Sequence, residues 1–95
     1  MQREELQYRA EQNMKLAQQA AKNVERSMDT GDETTAQSWN REGLHHWYRY
    51  YLIQAKLCEI DGAWKESVEW RKLAVHCRKS MRKYEHSSRH SMYMP

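Results

Sequence analysis

The chain contains very few residues that stop a helix. Three glycines and one proline occur among its 95 residues, and the proline is the last of them. Gly31 and Gly62 each stand beside an aspartate, a combination typical of helix ends. Residues 2–29 contain neither glycine nor proline. This distribution predicts long uninterrupted helices separated by two short turns.

Apolar residues recur at helical spacing in three stretches of the chain. We predict helices at about residues 2–29, 35–60 and 62–85. The first has an alanine-rich face formed by Leu6, Ala10, Ala17, Ala20, Val24 and Met28. Alanine buries little area, so this helix depends on a neighbouring helix for its stability. The third has a face formed by Ala63, Ser67, Trp70, Ala74, Cys77, Met81 and Tyr84, with a flanking row formed by Trp64, Val68 and Val75.

The second predicted helix is apolar on two sides. Its two stripes consist of Trp39, Gly43, His46, Tyr50, Ile53, Leu57 and Ile60, and of Leu44, Trp47, Tyr51, Ala55 and Cys58. A helix with two apolar stripes is covered on both, so we place it at the centre of the fold. Thr34 and Gln37 have the spacing of a capping box at its start, and Asp61 is suited to cap the helix that follows.

These observations predict an all-α fold, a three-helix antiparallel bundle with short loops. Residues 1–85 form a single helical domain, and residues 86–95 form a flexible basic and polar tail. A chain of this size has room for one domain with a thin core. No apolar run reaches membrane-spanning length and the first residues do not form a signal peptide, so we expect a cytoplasmic protein with no membrane partner.

The charge of the chain is unevenly distributed. Residues 1–70 contain nine Lys and Arg against twelve Asp and Glu, whereas residues 71–95 contain seven Lys and Arg against Glu85 alone. A basic segment of this kind is suited to phosphates or to an acidic protein surface. The charge alone favours a solvated helix end instead, where cations interact favourably with the helix dipole.

Residues that could carry chemistry are few. Cys58 and Cys77 lie too far apart in an antiparallel hairpin to form a disulfide, so we expect free thiols. The same register places His46 near Cys77 and His76, but neighbouring residues on a helix are about 100° apart and do not easily bind one zinc ion. No carboxylate is placed to orient a Cys–His pair for nucleophilic catalysis. We predict a protein that is not an enzyme and uses no metal and no cofactor.

The last two helices carry a resemblance to a known repeat. The spacing of the second helix of a tetratricopeptide repeat is matched by Gly62, Trp64, Ser67 and Ala74. Residues 44–77 therefore resemble a single tetratricopeptide-repeat hairpin, although Lys79 stands where that family usually has a proline. The resemblance implies a hairpin that binds a protein partner and that is completed by another helix, here residues 2–29, or by a partner chain.

A second, shorter resemblance lies at the start of the middle helix. Residues 36–41 read Ala-Gln-Ser-Trp-Asn-Arg and resemble a stretch of the phage-encoded inhibitors of host recombination nucleases, the Gam type. This resemblance implies inhibition of a larger protein and transfers no role to any individual residue.

The leading functional prediction is a small interaction module, an adaptor or inhibitor that binds a larger protein. Trp, Tyr and Arg dominate interface hot spots, so the predicted contacts are Trp39, His45, Trp47, Tyr48, Arg49 and Tyr51. One alternative is a nucleic-acid-binding protein, or a modulator of a nucleic-acid enzyme, that acts through Arg71, Arg78, Lys79, Arg82 and Lys83. Homodimerisation through the alanine face of the first helix also stays open.

Overall fold

The chain folds into three long antiparallel helices, which confirms the predicted all-α bundle. The computed structural model describes the backbone of residues 2–93 and the side chains of residues 2–83. The helices are α1 (Gln2–Asp29), α2 (Glu33–Ile60) and α3 (Trp64–Tyr93). Helix α3 therefore continues eight residues beyond its expected end. The flexibility of residues 86–95 stays a prediction. Within the described residues, no helix combines the length and the apolar character needed to cross a membrane.

Two loops of the same geometry connect the helices. Each loop has three residues, and its middle residue is a glycine with a positive φ, 76° at Gly31 and 75° at Gly62. The amides of each glycine and of the residue after it donate to carbonyls of the preceding helix at 2.8 to 3.1 Å. This is the Schellman pattern, and it requires a left-handed residue that glycine supplies without steric cost. The turns that the sequence predicts are therefore tight and closed by the helix ends.

The cap of α2 differs from the prediction. Asp32 is the N-cap residue, and its carboxylate accepts hydrogen bonds from the Thr35 hydroxyl at 2.7 Å and the Thr35 amide at 3.1 Å. These bonds lower the pKa of the Asp32 carboxyl. The predicted capping box of Thr34 and Gln37 is wrong, because the aspartate that closes the loop already lies at the position from which a side chain reaches the first free amides.

Asp61 also has a different role from the one predicted. It is the C-cap residue of α2, and its carboxylate accepts a hydrogen bond from the Arg3 guanidinium at the start of α1. The first α-helical bond of α3 runs from the Ser67 amide to the Ala63 carbonyl at 3.0 Å, so Ala63 occupies the N-cap position instead. Asp61 therefore ties two helices together at one end of the bundle.

Helix α2 lies between the other two helices, as its two apolar stripes predict. Helices α1 and α3 each pack against α2, and their described residues do not contact each other. The molecule measures 52 × 24 × 17 Å. Three helices side by side at the usual spacing of about 8–10 Å account for a width of this size. The bundle is therefore an open layer in which α1 and α3 each have a side that no other helix covers.

Small residues bring α1 close to α2. Ala10, Ala17 and Ala20 are almost completely buried. Gly43 of α2 is buried as well, and a Cβ atom built there would lie 3.4 Å from the Cβ of Ala20. The alanine face on which a homodimer was considered is therefore covered by α2 within the chain.

One position of the predicted α1 face is wrong. Met28 is 56% exposed, and Ser27 is buried in its place. The buried positions alternate by three and four residues, and Ser27, not Met28, follows three residues after Val24. The spacing of the residues therefore predicts the buried positions of α1 better than the hydrophobicity of Met28 does.

The inner face of α3 agrees with the prediction over the residues whose side chains are described. Ser67, Ala74, Cys77 and Met81 are buried against α2, and Trp70 is half-buried. Tyr84, the last member of the predicted face, lies outside the described side chains. The residues of the predicted flanking row are exposed, unlike those of the inner face: Trp64 is 65%, Val68 51% and Val75 52% exposed.

Candidate interaction surface

The dense aromatic segment of α2 divides between the interior and the surface. Trp47, Tyr50 and Tyr51 contact one another, and both tyrosines contact Trp70 of α3, with five pairs of ring centroids 5.5 to 6.0 Å apart. We call these four residues the ring cluster. Each ring is half-buried, and burial raises the pKa of the Tyr51 hydroxyl. The two contacts from Tyr50 and Tyr51 to Trp70 hold α3 on α2.

The remaining predicted contacts lie elsewhere. His45 and Arg49 are exposed, Tyr48 is half-buried, and Trp39 is 38% exposed at the opposite end of α2 from the loop to α3. Trp39 lines a small cavity of about 70 Å³ between α1 and α2. The structure therefore does not bring the six predicted interaction residues together on one surface.

His46 and Cys77 contact different neighbours. The Nδ1 atom of His46 lies 3.3 Å from the Asn13 side-chain oxygen of α1, and its Nε2 atom lies 3.8 Å from the Glu42 carboxylate. The Cys77 thiol donates to the Leu44 carbonyl at 3.0 Å, and burial raises its pKa. The two side chains therefore have different partners, because His46 contacts α1 whereas Cys77 contacts α2 from α3. Both cysteines are free thiols.

Among the residues that the structure describes, no group of three or more His, Cys, Asp or Glu side chains is arranged to hold a metal ion.

Glu59 is the centre of a polar network between α2 and α3. Its carboxylate accepts hydrogen bonds from the Arg71 guanidinium, with Nε at 3.2 Å, and from the Ser67 hydroxyl, also at 3.2 Å. Lys56 lies 4.0 Å away, and the Glu59 side chain is only 17% exposed. The bond from Arg71 is the main reason why the pKa of Glu59 is lowered. One of the predicted nucleic-acid contacts, Arg71, therefore already has a partner within the chain.

This network makes the stability of the α2–α3 pair depend on pH. A lowered folded-state pKa means that the stabilisation is complete above the ordinary glutamate pKa of about 4.3 and is lost as the pH falls through the folded-state value. In urea unfolding between about pH 7 and pH 3, the stability difference between the native chain and Glu59→Gln should shrink with falling pH. Arg71→Gln should weaken the pH dependence in the same way. A difference that stays constant over this range would contradict the prediction.

One side of α3 forms an exposed stripe. Its members alternate by four and three residues and are Trp64, Val68, Arg71, Val75, Arg78 and Arg82; we call them the α3 stripe. All six are exposed. A parallel row of exposed lysines follows on the outer flank and consists of Lys65, Lys72, Lys79 and Lys83. The stripe lies on the side of α3 that reaches Glu59, whereas Trp70 lies on the side that reaches the ring cluster.

A row on α2 continues this surface. It consists of His45, Arg49, Leu52 and Lys56, again at spacings of four and three residues, and ends at Glu59; we call it the α2 row. Each of the four residues is exposed. Because the salt bridge between Glu59 and Arg71 joins the two lines, the α2 row and the α3 stripe belong to one face of the layer.

The residues of this face belong to two separate predictions from the sequence. One is the row of Trp64, Val68 and Val75 that flanks the inner face of α3, and the other is the basic patch that contains the arginines. The signal that connects them is the four–three alternation that they share, which is typical of a helix face that contacts another helix.

Shallow cavities lie along the junction of α1 and α2. One of about 340 Å³ is lined by Val24, Met28, Glu33, Ala36, Gln37 and Asn40. Another of about 240 Å³ is lined by Gln7, Ala10, Glu11, Met14, Tyr50, Gln54 and Leu57. Their walls combine alanine, methionine and amide side chains with one glutamate each.

Fold and surface together define the class of this chain as an all-α three-helix bundle with an exposed apolar and basic face. Comparison with protein families, with curated proteins and with solved structures found no match. The resemblances to a tetratricopeptide-repeat hairpin and to the Gam-type inhibitors therefore stay predictions.

Proposed function

We propose that this chain is a non-enzymatic protein-interaction module, an adaptor or an inhibitor of a larger protein. The observation that carries the proposal is the α3 stripe, where Trp64, Val68 and Val75 are each more than half exposed along three turns of one helix. An exposed patch of large apolar side chains that is surrounded by polar residues commonly marks an interaction site. The polar surroundings are mainly arginines and lysines, with Glu66 and Glu69 beside Val68.

Residue type supports the same proposal. Tryptophan and arginine are the side chains most enriched in interface hot spots, and the α3 stripe contains one tryptophan and three arginines. From the predicted contact set, His45 and Arg49 join this surface through the α2 row. Trp47 and Tyr51 instead act indirectly, because the ring cluster holds α3 in position.

Position-specific photo-crosslinking tests the proposal. A photoreactive phenylalanine analogue at Val68 or at Val75 should form covalent adducts with a defined protein in cells that make the chain. Leu16 is the matched control position, because it is 50% exposed on α1, away from the α3 stripe. Adducts of equal yield at Leu16, or adducts with nucleic acid alone, would contradict the proposal.

Nucleic-acid binding is the second candidate function. The described side chains of α3, residues 64–83, include seven Lys and Arg against two Glu, and the predicted contacts Arg78, Lys79, Arg82 and Lys83 are all exposed. Binding to duplex or single-stranded DNA that weakens steeply with added salt would support this function. Absence of binding at low salt would exclude it.

A further inference from the structure

We infer that the α3 stripe binds an acidic amphipathic helix of a partner protein. The inference rests on the proposed function and specifies the chemistry of its partner. It follows from the order of three parallel rows on the exposed side of α3, from the charge of those rows, and from the charge of the other helices of the chain.

The rows run side by side along the helix. At about 100° per residue, Trp64, Val68 and Val75 lie within an arc of about 40°. An arginine row formed by Arg71, Arg78 and Arg82 borders this arc on the side of α2, and the lysine row borders it on the other side. An apolar centre between two charged flanks is the arrangement by which one helix selects another, with apolar residues at the seam and charges beside it.

The net charge of both flanks is positive, with Arg71 paired with Glu59 and Lys72 with Glu69 within the chain. All members of the arginine and lysine rows are exposed, and Glu66 and Glu69 are the only acidic residues between Trp64 and Lys83. A complementary helix therefore carries Leu, Ile or similar residues at its seam and Asp or Glu on both sides. Like charges at those flanking positions would oppose binding, so the two basic rows also give specificity.

The length of the surface defines the length of the partner. From Trp64 to Lys83 the helix rises about 28 Å at 1.5 Å per residue, and its apolar part from Trp64 to Val75 rises about 16 Å. A partner helix of about three to five turns covers this surface. Helix-in-groove recognition commonly uses anchors at positions i, i+4 and i+7.

A second copy of the chain does not have the required charge. Helix α1 contains five Lys and Arg and five Asp and Glu, and α2 contains three of each. Neither helix is acidic, and the basic α3 would repel its own copy. A different protein is therefore the better occupant.

Nucleic acid fits this surface less well than an acidic helix. Its phosphates would meet the arginine and lysine rows, but the three apolar side chains between those rows would lie against hydrated anions. Their burial stabilises a complex only when the partner also presents apolar area. The central position of Trp64, Val68 and Val75 therefore favours a protein helix.

The test uses the full chain and a defined peptide. The probe is a fluorescent peptide of about three heptads, with Leu at the two seam positions and Glu at both flanking positions. Titration followed by fluorescence anisotropy should give a Kd in the micromolar range at moderate salt. A peptide with the same composition in permuted order, and one with Gln in place of the flanking Glu, should each bind at least about tenfold more weakly, a difference of about 1.4 kcal/mol.

Two pairs of variants locate the binding site. Val68→Asp should weaken binding at least about tenfold, whereas Leu16→Asp, at a position of equal exposure on α1, should leave it unchanged. Lys79→Glu should weaken binding, and Lys22→Glu on α1 should not. Circular dichroism and thermal unfolding of each variant show that a loss of binding does not come from a loss of folding.

Three results would overturn the inference. They are equal affinity for the permuted peptide, equal effects of Val68→Asp and Leu16→Asp, and tighter binding of a DNA duplex of similar length than of the peptide. Failure of the peptide combined with protein adducts at Val68 in the crosslinking experiment would overturn the acidic-helix inference alone. Failure of both experiments would also overturn the proposed function.

Discussion

Gly43→Leu should separate α1 from α2, whereas Gly43→Ala should stabilise the fold. A Cβ atom at this position meets the Cβ of Ala20 at 3.4 Å and the Ala17 carbonyl oxygen at 3.8 Å, which are ordinary contact distances. Alanine therefore gains helix propensity of about 0.5–1 kcal/mol without a clash. The further carbons of leucine have no space, and overpacking of this kind costs about 1–3 kcal/mol or more.

Urea unfolding followed by circular dichroism measures both effects. Because α1 packs against α2 alone, Gly43→Leu should also expose the loop around Gly31 to limited proteolysis before the loop around Gly62. The alanine variant is the matched control for the loss of glycine itself. A leucine variant as stable as the native chain would show that α1 does not approach α2 so closely. An alanine variant less stable by about 1 kcal/mol would show instead that the approach is too close for a methyl group.

Trp70→Ala should lower the free energy of unfolding by about 2–4 kcal/mol, somewhat less than the loss expected for a fully buried tryptophan. The Trp70 ring contacts both Tyr50 and Tyr51, and its removal opens a gap between α2 and α3. The ring cluster loses the one member that α3 contributes, so the unfolding of α3 should become separable from that of α1 and α2.

Trp64→Ala is the matched control on the same helix. Its side chain is 65% exposed, so its replacement should change stability by no more than about 0.5 kcal/mol. It should nevertheless weaken partner binding, because Trp64 begins the α3 stripe. Equal losses of stability for the two tryptophans would contradict the division of α3 into a packed side and a binding side.

This division explains how a small chain exposes apolar residues without losing its fold. The ring cluster and the Glu59 network connect α2 and α3 on opposite sides of their contact, and neither depends on the side chains of Trp64, Val68 or Val75. Substitutions on the exposed side should therefore change recognition while the helices remain in place.

The local features of the fold could be predicted from the sequence. Gly31 and Gly62 locate both turns because few other residues accept a positive φ there. The alternation of three and four residues predicts the inner faces of all three helices. It would also have identified Ser27 in place of Met28 had spacing been preferred to hydrophobicity. Asp32 was missed as the cap of α2 because several residues near the start of that helix had suitable side chains.

The sequence by itself determined three helices, their two turns and the faces that each helix buries, because periodicity and turn chemistry act over a few residues. It did not determine how those faces pair. Only the tertiary structure decided that α1 and α3 both pack on α2 and that their described residues do not contact each other. An apolar row looks the same in a sequence whether a helix covers it or not, because burial depends on which helices meet in space. The exposure of the α3 stripe, and with it the proposed binding surface, follows from that arrangement.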